Sequence, residues 1–323
     1  MKIRKDSINK NTYINSYTVI LKFILLFFTI DCGFSQIVQN DHRIYFISDT
    51  QEPLLVEKMV SKYYRNEEAR DSLFSDIIRH HPENIFMLGD LTSMGSDEEA
   101  WAPFDTFIHL LSKINTNIYA IPGNHEYFMN SSIGMKMFTQ RFPKLWLHGY
   151  CIKTDSIAII MLNSNFDKIS ESELSKQLLW YKTSIDSLDN DPKVKTIIVC
   201  THHAPYSNSK AVGSSEGVAD LIVPLFKNSR KARLFISGHS HNLEYFADSF
   251  GKHFLVIGGG GGIAQPLIDI KERKYHDLLS QNEKPLYFYL IVERKGNFLK
   301  LIARGFKRDF KMFEMNFGEI KLN

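Results

Sequence analysis

Short polar stretches that could bind metal ions or phosphate follow five apolar runs of this 323-residue chain. They are Asp49-Thr50-Gln51, Gly89-Asp90, Gly123-Asn124-His125-Glu126, Thr201-His202-His203 and Gly238-His239-Ser240-His241. Five of the 12 histidines fall in them. A mixed set of oxygen and imidazole ligands suits Mn, Fe, Zn or Co better than Mg or Ca alone. Each stretch alone would be an ordinary turn, but five such endings in one chain predict a shared site.

The chemistry that such residues support is metal-assisted hydrolysis at phosphorus. Two divalent cations about 3.5–4 Å apart can share one hydroxide, acidify it and clamp both ends of an in-line displacement. A neighbouring imidazolium can stabilise the developing charge and supply a proton to the leaving group.

Apolar, β-branched runs precede the polar stretches and predict the strands that carry them. The runs span residues 43–48, 84–89, 117–123, 194–201 and 233–238, and segments with helical spacing lie between them. Open α/β sheets bind ligands at the carboxyl ends of their strands, where loops converge. The strands are therefore expected to bring the five polar stretches together.

Two helices are predicted in detail. The segment Ser96–Glu99 (SDEE) predicts a capping box that opens a helix toward Leu111. Residues 170–188 have helical spacing, with Trp180 expected in the core and Gln177 on the surface. The apolar face of this second helix is predicted to consist of Leu174, Leu178, Tyr181 and Ile185.

The C-terminal part predicts antiparallel strands at 254–259, 285–293 and 298–306, the last two joined by a turn at 294–297. No linker, repeat or low-complexity tract interrupts residues 36–323, which predicts one domain of α/β, or α+β, class. The glycine run 258–262 lacks the Lys and Ser/Thr of a phosphate-binding P-loop. It is interpreted as close backbone packing beside the site.

The first 35 residues have the features of a secretory signal peptide. Four basic residues between Lys2 and Lys10 precede an apolar run of 8 residues at 23–30. That run is shorter than the roughly 20 residues of a spanning helix. We expect cleavage before Gln36, no transmembrane segment afterwards, and a secreted, periplasmic or cell-envelope location. Cys32 is a weak lipidation signal, because Asp31 precedes it where a small residue would be expected.

Cleavage would remove five Lys/Arg and two Asp, so the formal net charge would fall from +3 to about 0. A neutral chain gives no reason to expect nucleic acid as a partner. Cys151 and Cys200 would remain, which is no disulfide framework, although the sequence leaves open whether they pair.

The order D-x-Q, G-D, G-N-H-E, H-H and G-H-S-H resembles that of the calcineurin-like metallophosphoesterase superfamily, from about Arg43 to the C-terminus. The segment Pro205-Tyr206-Ser207 is similar to the acid-phosphatase-like branch. The resemblance implies a sandwich of two mixed β-sheets flanked by helices, with a dinuclear metal site at the strand ends. It implies a hydrolase that acts on phosphoric esters.

The resemblance also implies which residues bind the two divalent metal ions, expected to be Mn, Fe or Zn. Asp90 would bridge both ions, which suits a carboxylate with two oxygens. The other ligands of the first ion would be Asp49, Gln51 and His241. The other ligands of the second ion would be Asn124, His202 and His239.

His125 would not touch a metal ion in such a site. A hydroxide that bridges the ions would attack phosphorus, and His125 would protonate the leaving group as general acid. The residues expected to contact the substrate are Asn124, His125 and His203. Tyr206 and Asn163 are weaker candidates for the substrate pocket.

One motif leaves the metal ligand ambiguous, and two positions depart from the commoner motifs of the family. Either histidine of the pair could be the ligand, and His202 is favoured because it follows the apolar run directly. His203 then either supports a ligand from behind or faces the phosphate. The commoner first motif is D-x-H, and Gln51 offers only a neutral carbonyl oxygen, so it either binds the first ion weakly or hydrogen-bonds a neighbour. Ser93 stands where purple acid phosphatases carry an iron-binding tyrosine, so a purple enzyme is not expected.

The predicted function is hydrolysis of phosphomonoesters or nucleotides, small phosphorylated molecules. The alternative is a scaffold of the same fold at the cell envelope that binds metal or phosphate without turnover, which Gln51 would favour. A DNA-repair nuclease fits poorly with a neutral, exported chain. Substrate, metal identity and oligomeric state are not determined by the sequence.

Overall fold

The computed structural model describes residues 43–60, 65–143 and 148–322. The predicted signal peptide, with Cys32, and the predicted boundary at Gln36 lie outside these residues. None of the helices in the described part of the chain has the length and apolarity that crossing a bilayer requires.

Twelve strands in these residues form two mixed sheets of six strands each. In chain order they are β1 (Arg43–Ile47), β2 (Asn84–Met87), β3 (Asn117–Ala120), β4 (Tyr150–Thr154), β5 (Ile157–Met161), β6 (Thr196–Cys200), β7 (Ala232–Ser237), β8 (Leu243–Ala247), β9 (His253–Ile257), β10 (Tyr287–Lys295), β11 (Phe298–Phe306) and β12 (Met312–Lys321). The first sheet has the order β12-β11-β10-β1-β2-β3 and the second β4-β5-β6-β7-β9-β8.

Parallel strands occupy the part of each sheet that leads to the polar stretches. Strands β1, β2 and β3 are parallel neighbours in the first sheet, and β5, β6, β7 and β9 are parallel neighbours in the second. The remaining pairings are antiparallel, including the predicted hairpin of β10 and β11. Strands that run in the same direction end at the same edge, which is how residues far apart in sequence reach one site.

The helices are α1 (Leu55–Val60), α2 (Asn66–Arg79), α3 (Glu98–Lys113), α4 (Ser131–Arg141), α5 (Glu171–Asn190), α6 (Glu216–Leu221) and α7 (Val223–Asn228), with 3-10 turns at His125–Tyr127 and Ile270–Glu272. Helices cover the outer face of each sheet, and a third layer of apolar side chains lies between the sheets. Strand β1 is apolar on both faces because both are buried. Ile44 and Phe46 face the second sheet, and Tyr45 and Ile47 face α2 and α3. The predicted two-sheet sandwich flanked by helices is confirmed.

Two details of the predicted helices are wrong. Asp97, not Ser96, caps α3, because the Asp97 side chain accepts the N–H of Glu99 at 3.0 Å. Gln177 is fully buried in α5, where its amide exchanges two hydrogen bonds with the backbone of Asn163, at 2.8 and 3.0 Å. A polar residue on an inward face is compatible with burial when both halves of its amide are satisfied.

Candidate metal centre

The polar stretches are tied to one another by backbone hydrogen bonds just beyond the strand ends. The N–H of Asp49 donates to Gly89 O at 3.0 Å, and the N–H of Gln51 donates to Asp90 O at 3.1 Å. In the second sheet, the N–H of Gly238 donates to His202 O at 2.9 Å. Each sheet therefore holds its own loops in fixed register.

Two contacts of carboxylates with backbone hold neighbouring loops in place. The N–H of His239 donates to both oxygens of Asp49 at 3.0 Å, which connects the two sheets. The N–H of His125 donates to Asp90 Oδ1 at 2.8 Å. Asp49, Asp90 and His239 all have positive φ, at 59°, 51° and 65°. Non-glycine residues rarely adopt this left-handed region, and such strain is concentrated at functional sites.

The first group of possible ligands consists of Asp49, Asp90 and His241, all buried, with ligand atoms within 4.8 Å of one another. His241 Nε2 lies 3.4 Å from Asp49 Oδ1 and 3.2 Å from the Gln51 amide nitrogen. Gln51 Oε1 is buried and has no hydrogen-bond partner in the described part of the chain. An unsatisfied buried carbonyl oxygen is costly unless a ligand completes it.

The second group consists of His202, His203 and His239, whose ring nitrogens also lie within 4.8 Å of one another. His202 Nε2 is 3.1 Å from Asn124 Oδ1 and 3.3 Å from Asp90 Oδ2. Asp90 therefore contacts a residue of each group, which is the position of a bridging carboxylate.

The tautomers of two histidines test whether a cation fits. His202 Nδ1 donates to Leu88 O at 2.8 Å and His241 Nδ1 donates to Ile263 O at 2.7 Å, because a carbonyl oxygen can only accept. In the neutral ring the Nε2 atom then carries a lone pair, and in both cases that lone pair faces a carboxylate oxygen. Two acceptors at this distance need a proton or a metal cation between them, and a backbone-anchored imidazole is the usual metal ligand. The residues present therefore fit divalent metal ions.

Charge within the cluster shifts several pKa values. Burial lowers the pKa of His202, but the Asp90 carboxylate outweighs it and raises the value to about 9. Burial raises the pKa of Asp90, yet the imidazoles of His202 and His125 hold it well below its usual range. Burial, together with the neighbouring His202, lowers the pKa of His203 and of His239 to about 3. Asp90 is thus an anion, and His203 and His239 are neutral donors of lone pairs.

His125 lies beside the cluster without joining either group. Its Nδ1 donates to Ser93 O at 2.8 Å, and its Nε2 is 3.9 Å from Asp90 Oδ2. Burial lowers the pKa of His125, but the Asp90 carboxylate and the Ser93 carbonyl outweigh burial, so the pKa is raised overall. The ring can therefore carry a proton on Nε2 at the edge of the site.

Glu126 holds the loops around Asp90 and Gly123 in place, and the sequence analysis did not identify it as a site residue. Its carboxylate is fully buried and accepts backbone N–H groups of Asp90, Leu91 and Gly123 at 2.6–2.9 Å, with Thr92 at 3.4 Å. Burial and the nearby Asp90 charge raise its pKa to about 7. The signal that could have revealed it is the last letter of G-N-H-E.

A second missed group follows β5. Ser164 Oγ contacts His203 Nδ1 at 2.9 Å and accepts the N–H of His203 at 3.0 Å, which fixes that ring beside His239. Asn163, a weak pocket candidate, is instead buried and donates to Tyr127 Oη at 2.8 Å. Tyr206, the other weak candidate, packs on Phe254 with ring centroids 4.8 Å apart. The sequence signal that could have revealed Ser164 is the polar segment Asn163-Ser164-Asn165 after an apolar run.

The glycine run packs against the site as predicted. The N–H of Gly260 donates to Ser48 O at 3.0 Å, and that of Gly262 donates to Asp49 O at 2.9 Å. A Cβ on Gly262 would lie 2.4 Å from His241 Cε1, so the backbone passes directly against this ring.

All seven predicted metal ligands and His203 thus lie in one cluster at one edge of the sandwich, and His125 lies beside it. Their individual roles stay predictions. Cys151 and Cys200 are both free thiols.

Comparison with known proteins gives a family match over more than half of the chain. A family model described as calcineurin-like phosphoesterase matches residues 42–243. An uncharacterized protein, L509, of Acanthamoeba polyphaga mimivirus is 27% identical over 176 residues, which cover 41% of this chain and 60% of the viral protein.

Solved structures share the fold at low sequence identity. A purple acid phosphatase from yellow lupin (Lupinus luteus) seeds has a TM-score of 0.62 at 14% identity, over 84% of this chain and 52% of that one. A dimetal phosphatase from Danio rerio has a TM-score of 0.57 at 14% identity, over 85% of this chain and 99% of that one. This chain thus spans about half of the lupin protein and 60% of the viral relative.

Proposed function

The chain belongs to the calcineurin-like phosphoesterase family, and on that premise we propose that it hydrolyses phosphate esters, with phosphomonoesters or nucleotides as substrates. Membership and the two groups of possible ligands support the predicted class, a metal-dependent hydrolase that acts on phosphoric esters. The substrate and the roles of individual residues are proposals.

One observation carries the proposal: imidazole lone pairs and carboxylate oxygens from both sheets face one another around Asp90, which contacts both groups. We assign the first metal ion to Asp49, Gln51 and His241 and the second to Asn124, His202 and His239, with Asp90 shared. When bound, two divalent cations lower the pKa of water and neutralise charge on phosphoryl oxygens. Gln51 supplies a neutral oxygen where an imidazole would bind more strongly, so the first position is the weaker one.

His125 is the proposed general acid. Ser93 O fixes its Nδ1, so the ring can present Nε2–H toward an ester oxygen above the cluster. Against the effect of burial, the Asp90 carboxylate and the Ser93 carbonyl raise the pKa of His125, which favours the protonated ring. A proton delivered to the leaving oxygen lets the alcohol depart as a neutral molecule. Asn124 and His203 border the same space and are proposed to orient the phosphate.

The test is hydrolysis by the purified chain from Gln36 onward, loaded with Mn²⁺, Fe²⁺ or Zn²⁺. We expect turnover of nitrophenyl phosphate or bis-nitrophenyl phosphate, and a loss of at least about a thousandfold in Asp90→Asn, which removes the shared ligand charge. Wild-type rates no higher than those of Asp90→Asn on both esters would refute the proposal.

Metal counting separates the enzyme from a scaffold without turnover. Two tightly held ions per chain support catalysis. One ion or none, together with inert esters, would support the scaffold, in which Gln51 only hydrogen-bonds His241.

We also propose export, on the basis of the predicted signal peptide at residues 1–35. The mature protein in a secreting host should begin at Gln36, which N-terminal sequencing checks. Retention of residues 1–35 on the purified protein would contradict it.

A further inference from the structure

Two large apolar side chains are exposed directly beside the proposed general acid. Phe128 and Met129 follow the 3-10 turn at His125–Tyr127, and their relative exposures are 42% and 77%. Single exposed apolar residues are common, but two adjacent ones beside a proposed general acid form a small apolar surface that a ligand can cover.

The backbone of this pair is held firmly, so the exposure does not come from a loose loop. The N–H of Phe128 donates to His125 O at 3.2 Å, and Phe128 O accepts the N–H of Asn130 at 2.8 Å. Asn130 then caps α4, where its side chain accepts the N–H of Ile133 at 3.1 Å. Met129 between them has φ 60°, a left-handed conformation that disfavours a non-glycine residue. The fold thus maintains a strained turn that keeps both side chains outside the core.

The ring of Phe128 flanks the ring of His125, with centroids 6.1 Å apart and planes tilted by 39°. His125 points its Nε2 toward the cluster, 3.9 Å from Asp90 Oδ2. A general acid has to lie within hydrogen-bond distance of the leaving oxygen. Any group bonded directly to that oxygen therefore comes next to His125 and within reach of Phe128.

We propose that Phe128, with Met129, binds the leaving group of aryl phosphates, esters whose oxygen is bonded directly to an aromatic ring. This inference rests on the proposed function, since it places the leaving group at His125. Aromatic rings attract one another at centroid distances of about 4.5–7 Å, and a methionine sulfur also favours a ring edge. In a nucleotide the ribose separates the base from the ester oxygen, so a base would not reach the same place.

The experiment compares phenyl phosphate with ethyl phosphate in wild type and in Phe128→Leu. The ratio of variant to wild type is taken for each ester separately, which cancels the intrinsic reactivity of the leaving group. We expect kcat/KM for phenyl phosphate to fall about tenfold and that for ethyl phosphate to change less than about twofold. Phe128→Tyr should retain the preference. Ile133→Ala, at a residue 43% exposed on α4, is the matched control and should change neither ester.

Equal losses on the two esters, or no loss on either, would overturn the proposal. A second measurement keeps it separate from the question of turnover: calorimetric binding of phenylphosphonate and methylphosphonate to the Mn²⁺-loaded protein. If no ester is hydrolysed but phenylphosphonate binds more tightly and Phe128→Leu abolishes that difference, the ring site stands and the hydrolase proposal fails. If the two phosphonates bind wild type equally, the ring site is refuted whatever the enzyme hydrolyses.

Discussion

Gly123→Ala should weaken metal binding strongly while leaving the fold in place. A Cβ at this position would lie 2.2 Å from Asp90 Oδ1, 2.4 Å from Asp90 N and 2.8 Å from His202 Cε1. Real Cβ atoms essentially never approach a heavy atom closer than 3.0 Å, so the carboxylate must move by roughly 1 Å. Asp90 is the proposed shared ligand, and metal–ligand distances tolerate only about 0.2 Å.

The magnitude follows from that displacement. Overpacking of a tight site costs about 2 kcal/mol of unfolding free energy in the metal-free protein. Disturbing residues that only support a metal ligand typically lowers metal affinity 10–100-fold, so moving the ligand itself should cost at least about 100-fold. Mn²⁺ at about 100 times the wild-type Kd stabilises wild type by about 2.7 kcal/mol, and it should stabilise the variant by less than about 0.5 kcal/mol.

The assay is denaturant unfolding with and without Mn²⁺, together with a count of bound metal after dialysis. Gly305→Ala is the matched control, because its Cβ would lie 1.9 Å from Tyr287 O in the sheet and away from the cluster. The control should lose stability and keep its full response to Mn²⁺. Two ions bound by Gly123→Ala with wild-type affinity would refute the reasoning about Asp90.

Three further perturbations test other parts of the structure. Glu126→Ala leaves backbone N–H groups around Asp90 without their acceptor. It should therefore lower the free energy of urea unfolding by about 3 kcal/mol or more and lower the metal content. An unchanged unfolding midpoint would contradict the role of Glu126 in holding these loops. Gln51→His should tighten the weaker of the two Mn²⁺ binding steps about tenfold in calorimetry, and unchanged affinity would indicate that this side chain contacts no ion. Burial raises the pKa of Asp76, but hydrogen bonds from Arg304 and Tyr289 outweigh it and lower the value below 3.8. Its ion pair therefore contributes stability that is complete above pH about 5 and is lost as pH falls through the folded pKa, so Asp76→Asn should cost about 2 kcal/mol at pH 7 and progressively less below pH 4. A cost that stays constant down to pH 3 would contradict this assignment.

The pattern of apolar residues was sufficient to predict the strands that lead to the site. The strands before Asp49 and Asp90 are continuous apolar runs because both of their faces are buried, and such runs end where the polar loops begin. The convergence of the polar stretches followed from their shared position after strands. Only the resemblance to a known family implied the division of ligands between two ions.

Features that depend on tertiary partners were not visible in the sequence. The hairpin of β4 and β5 was missed because its turn is Asp155-Ser156, with φ of 42° and 60°, where Asn-Gly or Asp-Gly would be the usual signal. Gln177 was expected on the surface because it is polar, yet its partner is the backbone of Asn163 in the loop after β5. The same holds for Glu126, because all of its N–H partners except Gly123 lie more than 30 positions away in the Asp90 loop.

Both sheets contribute to the proposed metal centre: Asp49, Gln51, Asp90 and Asn124 follow strands of the first, and His202, His239 and His241 follow strands of the second. A bound first cation would therefore link the two sheets at one edge and close a loop of about 190 residues between its proposed ligands Asp49 and His241. Such a cross-link restricts the unfolded chain much as a disulfide does, in a protein whose two described cysteines are unpaired. Chelation should then increase hydrogen–deuterium exchange along that edge of the sandwich, while the hairpin of β10 and β11 keeps its protection.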